Sequence, residues 1–393
     1  MAKKDNIIRQ GLCVGCGLCS SVKEHRFTMS INHEGFYEPD SSERISEDET
    51  VRSVCPGIRI HGHNEKDVWG SMIEVAESWS ADKQIRYHSS SGGVVTTLAI
   101  WMIETHQADA VLHVGVKEGD YLLNELHVSR SKDDIIRNAQ SRYAPALTLY
   151  RVKQILDGSN ETFVFIGKPC DIAGIRNLTE RFPEYKERFK LLISIFCAGI
   201  PSYEATKEVC RHLGREDDPV KIKYRGDGWP GSFKAEWADG RTREMSYNDS
   251  WGKILGRKIA FRCKVCPDGI GLLADLSVGD SWNTTNGYPD FTDSEGRSFV
   301  MIRTERGQEI FNQASEEEVV VSKQLDKKLL AAMQPFQYKR RIMVGWRLIP
   351  LKLKNYGLID FTGLGLVRMV KSSPKSQGFR EMLGTMKRII KRG

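Results

Sequence analysis

The chain has 393 residues, 40% of them hydrophobic and 28% charged, which is the composition of a soluble protein with room for two or three domains. No stretch nears the roughly 18 uninterrupted apolar residues of a spanning helix, and no apolar run follows the polar start Met1-Ala-Lys-Lys-Asp-Asn6, so neither a membrane span nor a secretory signal is expected. The net charge of +7 is uneven: residues 339–393 carry 14 Lys or Arg against Asp360 and Glu381, a balance of +12 that leaves −5 for residues 1–338. Such a tail suggests nucleic acid, but no recognition motif accompanies it, and no nucleic-acid partner is expected.

The first motif in chain order is Cys13-Val-Gly-Cys16-Gly-Leu-Cys19, with Cys55 far downstream before Pro56. Three cysteines at two-residue spacing, in a loop loosened by Gly15 and Gly17, can wrap one corner of a 4Fe-4S cubane. A distant Cys-Pro then supplies the fourth thiolate, as in bacterial ferredoxins. Lys23 stands where a second cluster's ligand would be, so this module is expected to hold one cluster. The rival reading is zinc, which normally takes paired Cys-x-x-Cys knuckles rather than three cysteines in one loop. Nine cysteines without an export signal point to a reducing, cytoplasmic setting in which thiolates serve metals.

Beyond residue 65 short apolar strands alternate with helices. The pattern predicts a helix over Val94–Thr105, strands over Ala110–Val116, Thr162–Gly167 and Leu191–Phe196, and a helix over Pro201–Leu213 closed by Gly214. Residues 220–305 are richer in short strands and turns, with Asp239-Gly240 as a hairpin signal. This is mixed α/β material.

Five cysteines remain after the first motif. Cys263-Lys-Val-Cys266-Pro267 repeats its grammar, Cys170 ends the turn Gly167-Lys-Pro-Cys170, and Cys197 directly follows a strand. Strand ends of an open α/β sheet can face a common site. Two readings stand level here: a second cluster on all four, or a zinc knuckle at 263 and 266 with two core cysteines. Cys210, inside a predicted helix, reads as a buried, inert thiol. Ser89-Ser-Ser-Gly-Gly93, just before the helix at Val94, is either a phosphate cradle or a plain helix cap. Tyr224-Arg-Gly-Asp-Gly-Trp-Pro-Gly231 suits a cofactor edge or a surface turn. Asp275 and Asp280 could position a proton donor or cap turns, and His88 could titrate beside a substrate.

In this order the motifs Cys-x-x-Cys-x-x-Cys, Ser-Ser-Gly-Gly-Val, Gly-Lys-Pro-Cys-Asp-Ile-Ala-Gly, Phe-Cys-Ala-Gly-Ile-Pro-Ser, Cys-Lys-Val-Cys-Pro-Asp-Gly and Ala-Asp-Leu-Ser-Val-Gly-Asp resemble the coenzyme F420 hydrogenase/dehydrogenase beta-subunit family, over roughly residues 10–305. The resemblance implies an iron-sulfur flavoprotein with FAD and a second 4Fe-4S cluster on Cys170, Cys197, Cys263 and Cys266. It implies FAD contacts at Ser91, Gly92, Gly93 and Thr96, and at Arg225 and Gly226. Ser141, Arg142 and Tyr143 match a family Ser-Lys-Tyr segment, with Arg in place of Lys. The expected fold is α/β or α+β: a ferredoxin-like iron-sulfur module (1–65), an α/β flavin-binding domain (66–185), a further iron-sulfur/flavin domain (186–338) and the basic tail (339–393).

The implied activity is that of an oxidoreductase passing electrons between clusters, FAD and an organic two-electron acceptor such as coenzyme F420. The implied alternative is a non-catalytic electron-transfer beta subunit of a larger hydrogenase or dehydrogenase complex. Ferredoxin or such a complex's subunit is the expected redox partner, and no catalytic acid or base is assigned. The tail lies outside the resemblance. It interleaves Trp346, Leu348, Ile349, Leu351 and Leu353 with Arg347, Lys352 and Lys354, and later Met386, Ile389 and Ile390 with Lys387, Arg388, Lys391 and Arg392. It reads as a solvated basic helix or as a peripheral anchor on the inner membrane face.

Overall fold

Period-two alternation in the central strands assigns each side chain to one of two cores. In the strand Phe163–Gly167, Phe163 and Phe165 pack to one side and Val164 to the other; in Phe189–Ile195, Leu192 parts in the same way from Leu191 and Ile193. Both faces are apolar because both are covered, as parallel strands require. The computed structural model describes residues 6–24, 26–40, 45–354, 356 and 359–392.

The strands, in chain order, are β1 (Thr28–Ile31), β2 (Tyr37–Asp40), β3 (Glu74–Ser80), β4 (Ala110–Lys117), β5 (Asp120–Ser129), β6 (Ala146–Leu147), β7 (Phe163–Gly167), β8 (Phe189–Ile195), β9 (Lys221–Lys223), β10 (Ser232–Glu236), β11 (Thr242–Ser246), β12 (Leu276–Asp280), β13 (Asn283–Thr285), β14 (Tyr288–Asp290), β15 (Ser298–Ile302) and β16 (Val320–Gln324). Nine of them form one mixed sheet in the order β16-β3-β15-β12-β8-β7-β4-β5-β6, with β12, β8, β7 and β4 mutually parallel at its centre. Helices Val94–Glu104 and Glu305–Glu316 cover one face. The other is covered by the N-terminal segment, by helix Pro169–Arg181 and by helix Pro335–Leu353, all sharing one core. A third core lies under the β9–β11 sheet, where Tyr224, Phe233 and Trp237 meet helix Tyr203–His212. The helices and strands expected from periodicity are all present, with ends shifted by a residue or two, and Asp239-Gly240 closes the β10–β11 hairpin.

The expected boundaries fall differently. The divide at 185/186 cuts through a single sheet, because β3–β7 and β8–β16 interleave in it. The divide at 338/339 lies inside helix Pro335–Leu353. Periodicity reports which face of a strand is buried and is silent on which strand it pairs with.

The tail is also built into the body. Asp360 pairs with Arg59 in an isolated bridge, and Gly62 N donates to Thr362 O at 2.9 Å. Helix Lys375–Arg392 buries Gly378, Thr385 and Ile389 and ends on Glu34, which accepts both terminal nitrogens of Arg392 at 2.9 and 2.8 Å. Gly378 is needed there because a Cβ would overlap the Trp346 indole.

Two predictions follow from this packing. Ile389→Ala should lower unfolding free energy by about 2 kcal/mol or more, read from a urea midpoint. His113, on β4 with its Nε2 2.8 Å from Ser129 Oγ, is pushed down to about 4, chiefly by burial and secondarily by His127. An unfolded histidine titrates near 6.5 and binds the proton first. Stability is therefore complete above pH 6.5 and should fall by roughly 3 kcal/mol as pH drops toward 4. His113→Gln should flatten that slope in denaturation measured across the window.

Candidate functional site

The first cysteine motif is a loop pressed against the body. Gly15 has φ +70° and Gly17 φ +81°; a Cβ on the first would meet Tyr37 O at 2.8 Å and one on the second Tyr150 Cβ at 2.8 Å. Leu149 N donates to Cys16 O at 2.8 Å. Cys55 caps the C-terminus of helix Glu49–Val54, which Asp48 starts by accepting from Val51 N at 3.1 Å. Asn177, on helix Pro169–Arg181, holds the same stretch by donating to Val54 O and Arg59 O. Burial pushes the Cys16 and Cys19 thiols well up, and Cys55 acts on both, while Cys13 acts on Cys19. The structure thus brings Cys13, Cys16, Cys19 and Cys55 together.

A second set assembles from three regions. Cys170 is the second residue of helix Pro169–Arg181, Cys197 follows β8, and Cys263 and Cys266 flank the end of helix Phe261–Lys264. Burial pushes Cys197 up to about 12, and Cys263 and Cys266 add to it; burial also raises Cys170, on which Cys197 and Cys266 act. Three cations stand against this. Lys168 binds Asp171 at 2.6 Å beside Cys170, and Arg262 and Arg340 pull the buried Cys266 thiol back down. Asp268 shapes the loop after Cys266 by accepting from the backbone N–H groups of Ile270, Gly271 and Leu272 at 2.9, 2.9 and 3.0 Å. Arg341, buried in the expected basic tail, donates to Pro267 O at 2.5 Å, and Arg340 to Ala198 O at 2.7 Å. These residues hold cysteine loops. Cys210 is buried in the third core, away from both sets.

None of the nine cysteines is in a disulfide. Among the described residues, no group of three or more His, Cys, Asp or Glu side chains is placed to hold a single metal ion. A 4Fe-4S cluster makes another demand, one thiolate for each corner iron of a cube. Two sets of four cysteines acting on one another suit that donor requirement. A cavity lined by Cys13, Gly15, Tyr37, Arg262 and Cys263 joins them.

The residues expected at a flavin come together at a distinct place, where the segment 88–93, the turn at 141–143 and the loop 224–231 converge. Gly93, at φ +79°, precedes helix Val94–Glu104, Gly92 N donates to Ser298 Oγ at 3.0 Å, and Ser141 N donates to Ser90 Oγ at 3.1 Å. Tyr143 packs on Tyr224 and Trp251, with ring centroids 5.6 and 4.6 Å apart. Arg142 points elsewhere: its nitrogens donate to Asn124 Oδ1, Ile222 O and Tyr121 O, a bracing role. Thr96 is partly buried on the first turn of its helix. Arg225 is buried and bound at 3.0 Å to both carboxylate oxygens of Asp280, which also accepts from Trp229 Nε1 at 2.9 Å. Its guanidinium lies 4.7 Å from the Tyr247 ring centroid and 5.4 Å from that of Trp282. Gly226 abuts His88 O, and His88 Nδ1 lies 2.6 Å from Asp227 Oδ1.

Asp275 and Asp280 serve different purposes. Asp275 accepts from Arg176, Leu192 N and Thr304, a brace between elements, while Asp280 serves the arginine. Sequence reasoning missed Lys168, Arg262, Tyr247 and Trp282. The signal available for three of them was adjacency to a motif: Lys168 precedes Pro169-Cys170, Arg262 precedes Cys263, and Trp282 follows Asp280 by two.

Comparison with known proteins identifies the family. Residues 75–153 match the family model described as coenzyme F420 hydrogenase/dehydrogenase, beta subunit N-term, and residues 160–328 match the C-terminal model of the same subunit; together they cover more than half of the chain. A coenzyme F420-dependent sulfite reductase from Methanocaldococcus jannaschii is 26% identical over 354 residues, covering 83% of this chain and 49% of that protein, so the chain spans about half of its length. The coenzyme F420 hydrogenase subunit beta of Methanococcus voltae is 25% identical, over 66% of this chain and 86% of that one. A chloroplastic 7-hydroxymethyl chlorophyll a reductase from Oryza sativa subsp. japonica is 21% identical, over 76% and 60%. Among solved structures, a chain of the F420-reducing NiFe hydrogenase complex from Methanosarcina barkeri shares the fold, with TM-score 0.55, 20% identity, and coverage of 70% of this chain and 92% of that one.

Asp280→Ala should strand the buried Arg225 guanidinium and cost about 3–5 kcal/mol, measured by chemical denaturation. Asp280→Asn, which keeps an acceptor, should cost less.

Proposed function

Because the chain belongs to the coenzyme F420 hydrogenase/dehydrogenase beta-subunit family, we propose that it is an oxidoreductase carrying two 4Fe-4S clusters and FAD, which exchanges electrons with a protein partner and an organic two-electron acceptor. The observation that supports the reading is that the cysteines expected at each cluster, though distant in the chain, lie near enough to act on one another's charge, with one cavity lined by Cys13 from the first set and Cys263 from the second. When bound, the clusters supply single electrons and the flavin a hydride, which together convert one-electron into two-electron chemistry.

The chain's own residues do the rest. Cys13, Cys16, Cys19 and Cys55 would hold one cluster, and Cys170, Cys197, Cys263 and Cys266 the other. Ser91, Gly92, Gly93 and Thr96 would meet the FAD phosphates, where the backbone approaches closely and the helix beginning at Val94 adds partial positive charge. Tyr143 and the Arg225–Gly226 stretch would border the flavin. Asp280 fixes Arg225 so that its charge is already in position, and Trp229, Tyr247, Trp251 and Trp282 exclude water from that wall.

Coenzyme F420 stands in the names of several relatives and is the first candidate acceptor here. A second reading makes the chain an electron-transfer subunit. It is favoured by coverage, since the chain spans 86% of one hydrogenase beta subunit and only about half of the sulfite reductase. Co-purification of a hydrogenase or dehydrogenase subunit with the tagged chain from its native host would support that reading, and elution alone with full F420-reducing activity would overturn it.

Anaerobic purification should yield iron and sulfide equivalent to two clusters, about eight of each per chain, together with FAD. Cys263→Ser should remove about half of the iron, and Cys16→Ser the other half. Zinc in place of iron, or a protein without flavin, would refute the proposal.

Membrane contact is a separate proposal. No helix among the described residues is long and apolar enough to cross a membrane. Helix Lys375–Arg392 packs one side on the body and leaves Phe379, Leu383 and Ile390 exposed beside Arg380, Lys387 and Lys391, the pattern of an interfacial helix. The intact protein should co-sediment with phosphatidylserine vesicles. Neutralising those three charges should weaken binding about 100-fold, at roughly 1 kcal/mol per cation. No binding by the intact protein would remove the idea.

A further inference from the structure

Arg262 stands immediately before Cys263 and is only 2% exposed. Its Nη2 donates to Pro56 O at 3.2 Å, next to Cys55, and its guanidinium lies 5.0 Å from the centroid of the Phe361 ring. Its Nε and Nη1 have no acceptor among the described residues. Other buried arginines here behave otherwise. Arg341 spends its nitrogens on the carbonyls of Val68, Pro267 and Leu364, and Arg303 spends its own on Ser277 and the carbonyls of Trp69, Ser71 and Ile270. A structural arginine in this fold is satisfied on protein oxygens, whereas buried donors left unmade are costly.

The surroundings of the idle donors point to what they serve. Arg262 lines the cavity that also exposes Cys13 and Cys263, one thiol from each set, together with Tyr37, whose buried hydroxyl is likewise unpaired. The rest of the lining is apolar, Phe36, Pro145 and Ile200 among it, so the polar groups that face the cavity are two thiols and hydrogen-bond donors.

We propose that Arg262 is a positioning residue for electron transfer between the two clusters: its Nε and Nη1 donate to sulfur of the cluster held by Cys170, Cys197, Cys263 and Cys266, and its fixed charge raises that cluster's reduction potential. The inference rests on the two-cluster reading above. The step transfers an electron and no proton. Arg262 stabilises the single negative charge gained when one electron leaves the N-terminal cluster, which is oxidised by one, for the body cluster, which is reduced by one.

The experiment is a redox titration of the anaerobically purified full chain, followed by electron paramagnetic resonance. Arg262→Gln should leave iron and sulfide unchanged and shift one signal to more negative potential, by about tenfold in the one-electron equilibrium or about 59 mV. Arg262→Lys, which keeps the charge, should shift it less. An unchanged potential at full iron content would overturn the proposal, because a merely structural arginine would move stability alone. Should Arg262→Gln fail to fold, wild-type protein grown with 15N-guanidinium arginine provides a second readout. A 15N hyperfine coupling to the reduced cluster is expected, and its absence overturns the assignment. Failure of the cluster reading would look different, as an absence of iron and sulfide from the wild-type protein.

Discussion

Thiolates crowded together out of water lose their hydration and repel one another, and the arrangement of charge in this protein follows from that double cost. The set on the body is surrounded by fixed cations: Lys168 acts on Cys170 and Cys197, and Arg262 and Arg340 on Cys266. At Cys16 and Cys19 the opposing influences are hydrogen bonds from the backbone around Leu18 to Ser20. At Cys170, Cys197 and Cys266 side-chain cations thus oppose burial, whereas at Cys16 and Cys19 backbone hydrogen bonds do so. Ligand identity alone would make the two sites alike; the polar surroundings separate them.

Much of this architecture was legible in the sequence. Cysteine spacing singled out the first set because three cysteines fall within seven residues, where local geometry decides. Alternation named the central strands because burial on a sheet has period two. The second set needed four cysteines from three distant regions to converge. No local rule reports such convergence, and without the family resemblance a zinc knuckle stood level with it. The domain divisions failed for the same reason, since β12, β15 and β16 return to pair beside β8 and β3. Arg142 shows the opposite error: it matched a family segment, yet its side chain is committed to Asn124 and two carbonyls.

At the flavin candidate, the acid and the base that looked separable in the sequence form a single unit. Asp280 ends β12 in the large sheet, whereas Arg225 begins a loop after β9 in the small one. Their bidentate pair joins two sheets with separate cores, and Trp229 closes it by donating to the same carboxylate. A buried pair of this kind contributes little net stability but fixes geometry. Here it orients a guanidinium, two aromatic rings and the glycine turn at 226 with respect to the serine-glycine segment on the other side.

The basic tail bears on function through the same logic of fixed geometry. Arg340 and Arg341 hold the loops carrying Cys197 and Cys266, Arg347 donates to Lys264 O beside Cys263, and Arg392 closes on Glu34 in the N-terminal segment. Of the fourteen cations that composition suggests are free for a partner, Arg340, Arg341 and Arg347 are spent on carbonyls around the cysteine loops and Arg392 on a carboxylate of the N-terminal segment. The excess charge therefore has an internal use, because carbonyl-rich loops around buried thiols need donors. A chain that must keep two sets of thiols in register gains from a final helix that fastens the first module to the body. The exposed side of that helix, with Phe379, Leu383 and Ile390, is the part left over for contact with anything outside.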